Sequence, residues 1–474
     1  MWIEGKPTHG SARLEVRHPY DGAAVGMTTF ATPAQVEVAV ASAAGAAAAT
    51  AALPVHVRAE ALTSIAVAIT SRTEEIAELI TAESGKPIMW SRVEVGRAAS
   101  VFRWAAEYAR QWSGEMMRLD TDAAGEGRLA YIRRVPRGVV LAISPFNFPL
   151  NLAAHKVAPA IAVGAPVVLK PAPKTPLSGL LLGELVAGAG LPAGAVNVIN
   201  VPDAQMPALV ADPRLPVVSF TGSERVGRVI QHAVPGKHVT LELGGNAAVV
   251  VCGDLTEDDD LDFAAQRIAT FANYQAGQSC IGVQRVYMDD GLYDRMRVRI
   301  LDAVDALATG DPRDPHTQVG PMINDEAAAR VEEWVANAVA AGASVALGGL
   351  RAGTSVSPTV LEDVPEDAAV LCEEVFGPVL VLARVRDVEE AFAKVNHSRY
   401  GLQAGVFTRD MRTAFRAHSV LEVGGVVVGD VPSYRADQMP YGGTKASGVG
   451  REGVRAAMDD FTYERTLVLS GLDL

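Results

Sequence analysis

The sequence predicts an α/β protein organised around a parallel, doubly wound sheet, and three observations carry that expectation. Short apolar strands alternate with helical stretches: "APVVLK", "LSGLLLGELVAGAG", "AVNVINV", "VVSFTG", "ERVGRVIQHAV", "HVTLELGG", "AAVVVCG". Strand–helix–strand alternation of this kind builds parallel sheets. The chain has 474 residues, too many for one typical core, so two or three domains are expected. Hydrophobic residues make up 49% and charged residues 20%, as in a soluble globular protein rather than a disordered one.

Each element has its own justification. Residues 33–53, "PAQVEVAVASAAGAAAATAAL", are alanine-rich, and Thr32 with Pro33 supplies an N-cap and a first helical position. Helical spacing continues over 57–82 and 91–113. "GRLAYIRRVPRGVVLAI" then switches to β-branched runs, and the alternating block follows. Residues 255–440 form a second block with long helices ("DLDFAAQRIATFANYQAG", "EAAARVEEWVANAVAAGA") and later strands ("FGPVLVLARV", "GGVVVG"). The tail "FTYERTLVLSG" is strand-like, and pairing with "GRLAYIRRV" outside the two main blocks would make a subunit contact.

Lys plus Arg number 42 and Asp plus Glu 55, a formal net charge of −13. No basic run is present, so nucleic acid and anionic membrane are not expected partners. The N-terminus, "MWIEGKPTHGSARLEV", lacks the basic start and apolar centre of a signal peptide. The nearest approach to a membrane span is expected at "VVLAISPFNFPLNLAA", which Pro145, Asn147, Pro149 and Asn151 interrupt. Cys252, Cys280 and Cys372 are odd in number and far apart. They suit neither a disulfide framework nor a metal cluster, and a cytoplasmic location is expected.

Several stretches can carry chemistry. "GAGLPA" (188–193) matches a dinucleotide fingerprint but follows a helix, so it reads as a helix stop. "SFTGSERVG" is better placed, because a buried strand runs through Gly222 and Ser223 into a helix whose N-terminus suits a pyrophosphate. Lys170 ends the strand "VVLK", where ligands of open α/β sheets bind; it reads as a ribose or phosphate contact, or as a solvated strand end. Glu242 ends another apolar strand ahead of Gly244 and Gly245, a general base or a structural acid. Asn147 in "SPFNFP" sits in a rigid apolar loop, suited to an oxyanion or to a turn. Cys252 reads as core packing, and Cys372 has acidic neighbours that disfavour a thiolate. Cys280 in "AGQSCIG" is the nucleophile candidate, with its own N–H available to an oxyanion.

Taken in order, "SPFNFP", "LKPA", "FTGS", "LELGG", "GQSC", "EEVFGPV" and "MPYGGTKASGVGREG" make the chain resemble the aldehyde dehydrogenase superfamily over about its whole length. The resemblance implies an aldehyde-dehydrogenase-like α/β fold. A Rossmann-type cofactor domain (1–114 and 135–243), an α/β catalytic domain (244–440) and a small β oligomerisation arm (115–134 and 441–474) are expected, in a homodimer or homotetramer. It implies Cys280 as nucleophile, Glu242 as base and Asn147 as oxyanion donor. It also implies Lys170, Gly222, Ser223, Glu374 and Phe376 as residues holding NAD or NADP. Many NAD-preferring members carry a glutamate three residues after the strand-end lysine; here Pro173 stands there, followed by Lys174, so the choice between NAD and NADP stays open.

The chain looks closest to the branch handling lactaldehyde, non-phosphorylating glyceraldehyde 3-phosphate and phosphonoacetaldehyde. A small polar or anionic aldehyde is therefore expected, with His155, Arg435, Arg103 and Arg110 as candidate holders of an anion. Relatives that take phosphorylated substrates often carry arginine before the nucleophile, and Ser279 stands there. Two alternatives are a CoA-acylating dehydrogenase, which typically lacks the base that Glu242 provides, and a catalytically silent member, which would lack Cys, Glu or Asn. A cofactor-free cysteine hydrolase would need a histidine beside Cys280, and the motif set holds none.

Overall fold

The computed structural model describes residues 1–471. Its organising elements are two largely parallel sheets. The first runs Val196–Val198, Val167–Lys170, Val140–Ile143, Val217–Thr221, His238–Glu242 in spatial order, all parallel. Short antiparallel strands close its two edges, Trp2–Ile3 against Val198 and Gly448–Val449 against Leu241–Glu242. "VLAI", "VVLK" and "VVSFT" are buried at every position, because helices cover both faces.

The helices Val55–Ser71, Ile88–Gln111 and Asn151–Val163 pack on one side of this sheet in the largest apolar cluster. All thirteen residues of Asn151–Val163 are buried. Helix Pro33–Ala52 lies on the other side, with Ala39, Val40 and Ala43 in a second cluster. Thr32 caps it as expected, and Gln35 returns the hydrogen bond to the Thr32 N–H. This helix, rather than the stretch around Pro145, passes the length-and-hydropathy test for a membrane span. Its apolarity comes from alanine, and part of its surface is spent on the core.

The second sheet runs Ser344–Leu347, Thr359–Glu362, Val379–Val385, Arg285–Asp289, Ala248–Val251, Gln403–Phe407, Gly425–Val428. Only its first strand is antiparallel to its neighbour. The chain leaves the first sheet at Glu242 and enters the second at Ala248, close to the expected boundary at 243/244.

A separate three-stranded sheet is formed by Glu115–Arg118, Arg128–Pro136 and Thr462–Ser470. Thr462–Ser470 pairs with Arg128–Pro136 along all nine residues, the pairing expected from the sequence. The expected arm is too long in one respect. Residues 441–461 do not belong to it: Gly448–Val449 joins the first sheet, and Val454, Ala457, Met458 and Phe461 pack into the largest cluster. "GAGLPA" is a helix exit as expected, following Pro176–Ala187, with Gly190 at φ +75°.

Candidate active site

The site forms where the two sheets meet, from the carboxyl ends of the first sheet's strands and the segments that precede the second sheet's strands. Glu242 is the last residue of its strand and 3% exposed. Neither of its carboxylate oxygens has a hydrogen-bond partner among the described residues. Burial pushes its pKa well above the ordinary carboxylate range, and the nearby Glu452 adds to that. Gly442 passes so close that a Cβ there would lie 2.9 Å from Glu242 Oε1.

The next residue back, Tyr441, ties this carboxylate to the thiol: its hydroxyl is 3.0 Å from Cys280 Sγ. Cys280 is half-buried by area, and its thiol pKa is pushed up to about 12, first by burial, with the Tyr441 hydrogen bond working against it. Cys252 is buried in a cluster with Val250 and Val406, as expected of core packing, and the Cys372 thiol is also raised, by burial and then by Glu373.

The segment before Cys280 has an unusual backbone. Gln275 and Ala276 both lie at φ +53° and Gly277 at +69°. Left-handed backbone at non-glycine residues costs of order 1–3 kcal/mol each and persists only where neighbours hold it. The holders are visible. Gln275 Nε2 donates to the Asn147 carbonyl, and Gln278 Nε2 donates to the Gln275 carbonyl at 3.1 Å. Asn147 Nδ2 in turn donates to the Gln278 carbonyl at 3.0 Å. Asn147 is thereby fixed two residues from Cys280, within the loop that leads into helix Asn151–Val163.

That loop is anchored from behind. Glu94 accepts from the N–H groups of Leu150 and Asn151 at 3.0 and 3.1 Å and pairs with the buried Lys86, which stands 4.0 Å over the Phe148 ring.

A second set of groups lies at and after the strand ends. Lys170 ends its strand with a buried ammonium 3.3 Å from exposed Asp203. Ser144, just past the neighbouring strand, and Thr221, at the end of the strand beyond it, have buried hydroxyls without partners among the described residues. Ser223 caps helix Glu224–Ala233 without using its side chain, and the Gly222 N–H donates to the Glu242 carbonyl at 3.1 Å. Glu374 accepts from the Gly245 N–H at 3.0 Å, and burial raises its pKa to about 7. Any Cβ on Gly244 would collide with that carboxylate. Phe376, at φ +49°, meets Phe146 edge-on, with ring centroids 5.9 Å apart.

The four basic residues named for an anionic group divide. The Arg435 side chain is 4% exposed, bonds Glu452 at 2.9 Å and lies 3.8 Å over the Tyr441 ring. His155 is fully buried, 3.5 Å from Asp437, and burial lowers its pKa to about 4, so it is neutral at neutral pH and offers no charge. Arg103 and Arg110 do not reach the site. Both are on the exposed face of helix Ile88–Gln111, and Arg110 turns back to Ala106 and Glu107.

Sequence reasoning missed Arg97 on the same helix, which donates to Asp437 at 3.0 and 3.2 Å. The available signal was spacing: Arg97 follows Glu94 by one helical turn, and Glu94 is an acid on an otherwise apolar face. Also missed were Lys156, bonded to Ser219 at 3.1 Å and Glu452 at 3.3 Å, and Tyr441.

The thiol, the buried carboxyl and the fixed amide all stand at this junction, beside strand ends whose hydroxyls have no partner among the described residues. The aldehyde dehydrogenase family profile matches residues 3–467. The chain belongs to the aldehyde dehydrogenase family. It is 41% identical to a 3-sulfolactaldehyde dehydrogenase of Priestia aryabhattai over 99% of this chain and 98% of that one. Aldehyde dehydrogenase 21 of Physcomitrella patens, solved with the reaction product succinate, superposes with a TM-score of 0.97 at 41% identity, covering 100% of this chain and 98% of that one. A glyceraldehyde-3-phosphate dehydrogenase of Methanocaldococcus jannaschii, solved with NADP, gives a TM-score of 0.92 at 34% identity over 98% and 100%. This aldehyde dehydrogenase is accordingly an oxidoreductase acting on aldehydes, with NAD or NADP as cofactor.

Proposed function

We propose that the protein oxidises a small aldehyde carrying a second, anionic group to its carboxylic acid, through a thiohemiacetal and a thioester on Cys280. The observation that carries this reading is the buried, unpaired Glu242 carboxylate beside the one loop that also contacts the Cys280 sulfur.

Glu242 takes the thiol proton, and the sulfur adds to the aldehyde carbon. The Asn147 amide and the Cys280 N–H receive the oxyanion that forms. Oxidation of that Cys280 adduct to the thioester needs a hydride acceptor, which NAD or NADP would supply when bound. Glu242 then removes a proton from water, which releases the acid.

The residues present fit that cofactor. Unpartnered hydroxyls at Ser144 and Thr221, the Lys170 ammonium and the Gly222–Ser223 turn suit a ligand rich in oxygen at strand carboxyl ends. Glu374 would take ribose hydroxyls, and Phe376 would flank the nicotinamide. Pro173 puts no carboxylate where it would repel a 2′-phosphate, and Lys174 lies 5.8 Å over Phe146 nearby, which supports acceptance of NADP as well as NAD.

Anion recognition falls to Arg435 and Arg97 in place of His155, Arg103 and Arg110. A guanidinium has five donors, and Arg435 spends one, on Glu452. The relatives' substrates and product support the same reading, since sulfolactaldehyde and succinate are both anions. Ser279 is occupied by the Tyr274 hydroxyl at 2.6 Å, which favours a carboxylate or sulfonate over a phosphate needing an arginine there.

The exposure of Met116 (70%), Leu467 (54%) and Val468 (50%) on the arm's strands supports pairing of two copies through it, as homodimer or homotetramer. Three free cysteines accord with a reducing cytoplasm.

The test is absorbance at 340 nm with NAD or NADP and a panel of succinate semialdehyde, 3-sulfolactaldehyde, glyceraldehyde 3-phosphate, lactaldehyde and hexanal. The anionic aldehydes are expected to give the highest kcat/KM. Cys280→Ala is expected to lower it roughly a thousandfold or more. Full activity in that variant, or a preference for hexanal, overturns the reading.

A further inference from the structure

The loop "MPYGG" brings a hydroxyl to the reacting sulfur, a contact that the scheme above leaves unused. We propose that Tyr441 is a catalytic residue: its hydroxyl donates a hydrogen bond to the Cys280 sulfur whenever that sulfur is anionic, before addition to the aldehyde and again as it leaves the thioester. This deepens the reading of Cys280 as the nucleophile and rests on it.

The geometry supplies the reasons. The Tyr441 hydroxyl is the only hydrogen-bond partner of Cys280 Sγ among the described residues, at 3.0 Å. Tyr441 itself is 3% exposed, so the bond forms out of water. In the neutral pair either atom can donate. Once the sulfur is a thiolate only the phenol can, and a hydrogen bond to an ionised acceptor is roughly twice as strong as a neutral one. The contact therefore favours the charged state over the neutral one.

Arg435 sharpens the donor. Its guanidinium lies 3.8 Å over the phenol ring, held there by Glu452, and a cation on the ring face withdraws electron density from the hydroxyl. The other charged or titratable groups facing the thiol are Glu374, Glu242 and Tyr274. The two carboxylates oppose a thiolate, which leaves Tyr441 and Arg435 to favour it.

Two steps use the bond. In the first, the thiol proton passes to Glu242, the sulfur pair forms the C–S bond, and the carbonyl pair moves to oxygen. In the second, Glu242, its first proton released to solvent, takes a proton from water as the water oxygen bonds to the thioester carbon and the carbonyl pair moves to oxygen. The C–S bond then breaks, and its pair returns to sulfur under the Tyr441 hydrogen bond.

The test needs no substrate. Iodoacetamide alkylation of Cys280, mapped by mass spectrometry, is timed at about pH 8 in the wild type, in Tyr441→Phe and in protein with 3-fluorotyrosine at 441. The phenylalanine variant is expected to react roughly three- to tenfold more slowly, lost thiolate being partly offset by higher intrinsic nucleophilicity. The fluorinated phenol, a stronger donor of nearly the same size, is expected to react faster than wild type. Equal rates in all three, or slowing in both variants, leave Tyr441 as packing and overturn the proposal. Failure of the nucleophile reading is a separate result: Cys280→Ala would then still reduce NAD or NADP with an aldehyde.

Discussion

The two parallel sheets of this aldehyde dehydrogenase follow the same construction rules and end differently. In the first, the carboxyl ends of the strands leave buried polar groups without partners: Ser144, Thr221 and Glu242. In the second, the corresponding ends are closed. Asp289 accepts from the Gly291 N–H at 3.0 Å, Asp387 from the Glu390 N–H at 2.9 Å, and Thr408 donates to Asp254 at 2.8 Å. Asp430 holds Arg267 in a fork at 2.7 and 2.8 Å. Between residues 246 and 434 the single unpartnered buried side-chain atom among the described residues is Gln275 Oε1.

The second sheet instead contributes through the segments that enter its strands. Cys280 precedes Arg285–Asp289, and Glu374 and Phe376 precede Val379–Val385. The rule that ligands sit at strand carboxyl ends thus describes one sheet and fails for the other. What marks the functional end of each is polar capacity left unspent near the junction.

This contrast can be broken at its strongest point first. Glu242→Gln is expected to lower kcat by roughly 10²–10⁴, the range for loss of a general base. Because the change replaces a buried carboxyl that has no hydrogen-bond partner among the described residues, Tm is expected to hold or rise. A large drop in Tm with turnover intact would make Glu242 a structural acid like those of the second sheet.

Glu374 sharpens the comparison through pH. Its pKa is raised to about 7 from 4.5, so below that pH it is protonated and a poorer acceptor for ribose hydroxyls. Cofactor affinity, read by fluorescence titration, is expected to rise severalfold as pH climbs through 7, and Glu374→Gln to flatten the curve. The stability sign runs the other way. The folded state binds the extra proton between about 4.5 and 7, so this carboxyl's contribution to stability declines as pH rises across that window. A pH-independent affinity in the wild type would remove Glu374 from the cofactor site.

The smallest effect is the most direct comparison. Thr408→Val loses satisfied hydrogen bonds at a closed strand end and is expected to cost about 1 kcal/mol in denaturant unfolding. Ser144→Ala removes an unpartnered hydroxyl and is expected to leave stability near wild type while raising the cofactor KM a fewfold. Equal destabilisation by the two would erase the distinction between the ends.

Much of this was legible in the sequence, and the parts that were not have a physical cause. Apolar runs such as "VVLK" declare buried strands, and that alone puts Lys170 and Glu242 at strand ends, where the structure has them. Cys280 and Asn147 stand in short segments whose composition restricts the backbone. The arginines were harder. On one helix Arg97, Arg103 and Arg110 look alike, and only the packing of helix Ile88–Gln111 decides which turns inward. His155 was misjudged because its type suggests charge while complete burial removes it. Residues 441–461 were assigned to the arm because adjacency in sequence says nothing of an edge strand returning to a sheet finished some two hundred residues earlier.

That return has a consequence for synthesis. The first sheet's last long strand ends at Glu242, yet its edge strand Gly448–Val449 and the helix Val454–Asp460 are synthesised some two hundred residues later. A nascent chain that has already emerged as far as the second sheet still exposes the Leu241–Glu242 edge and the apolar bed for Met458 and Phe461. Until those residues have been made the first sheet keeps an open edge, and over that interval its protection falls to chaperones and to the speed of elongation.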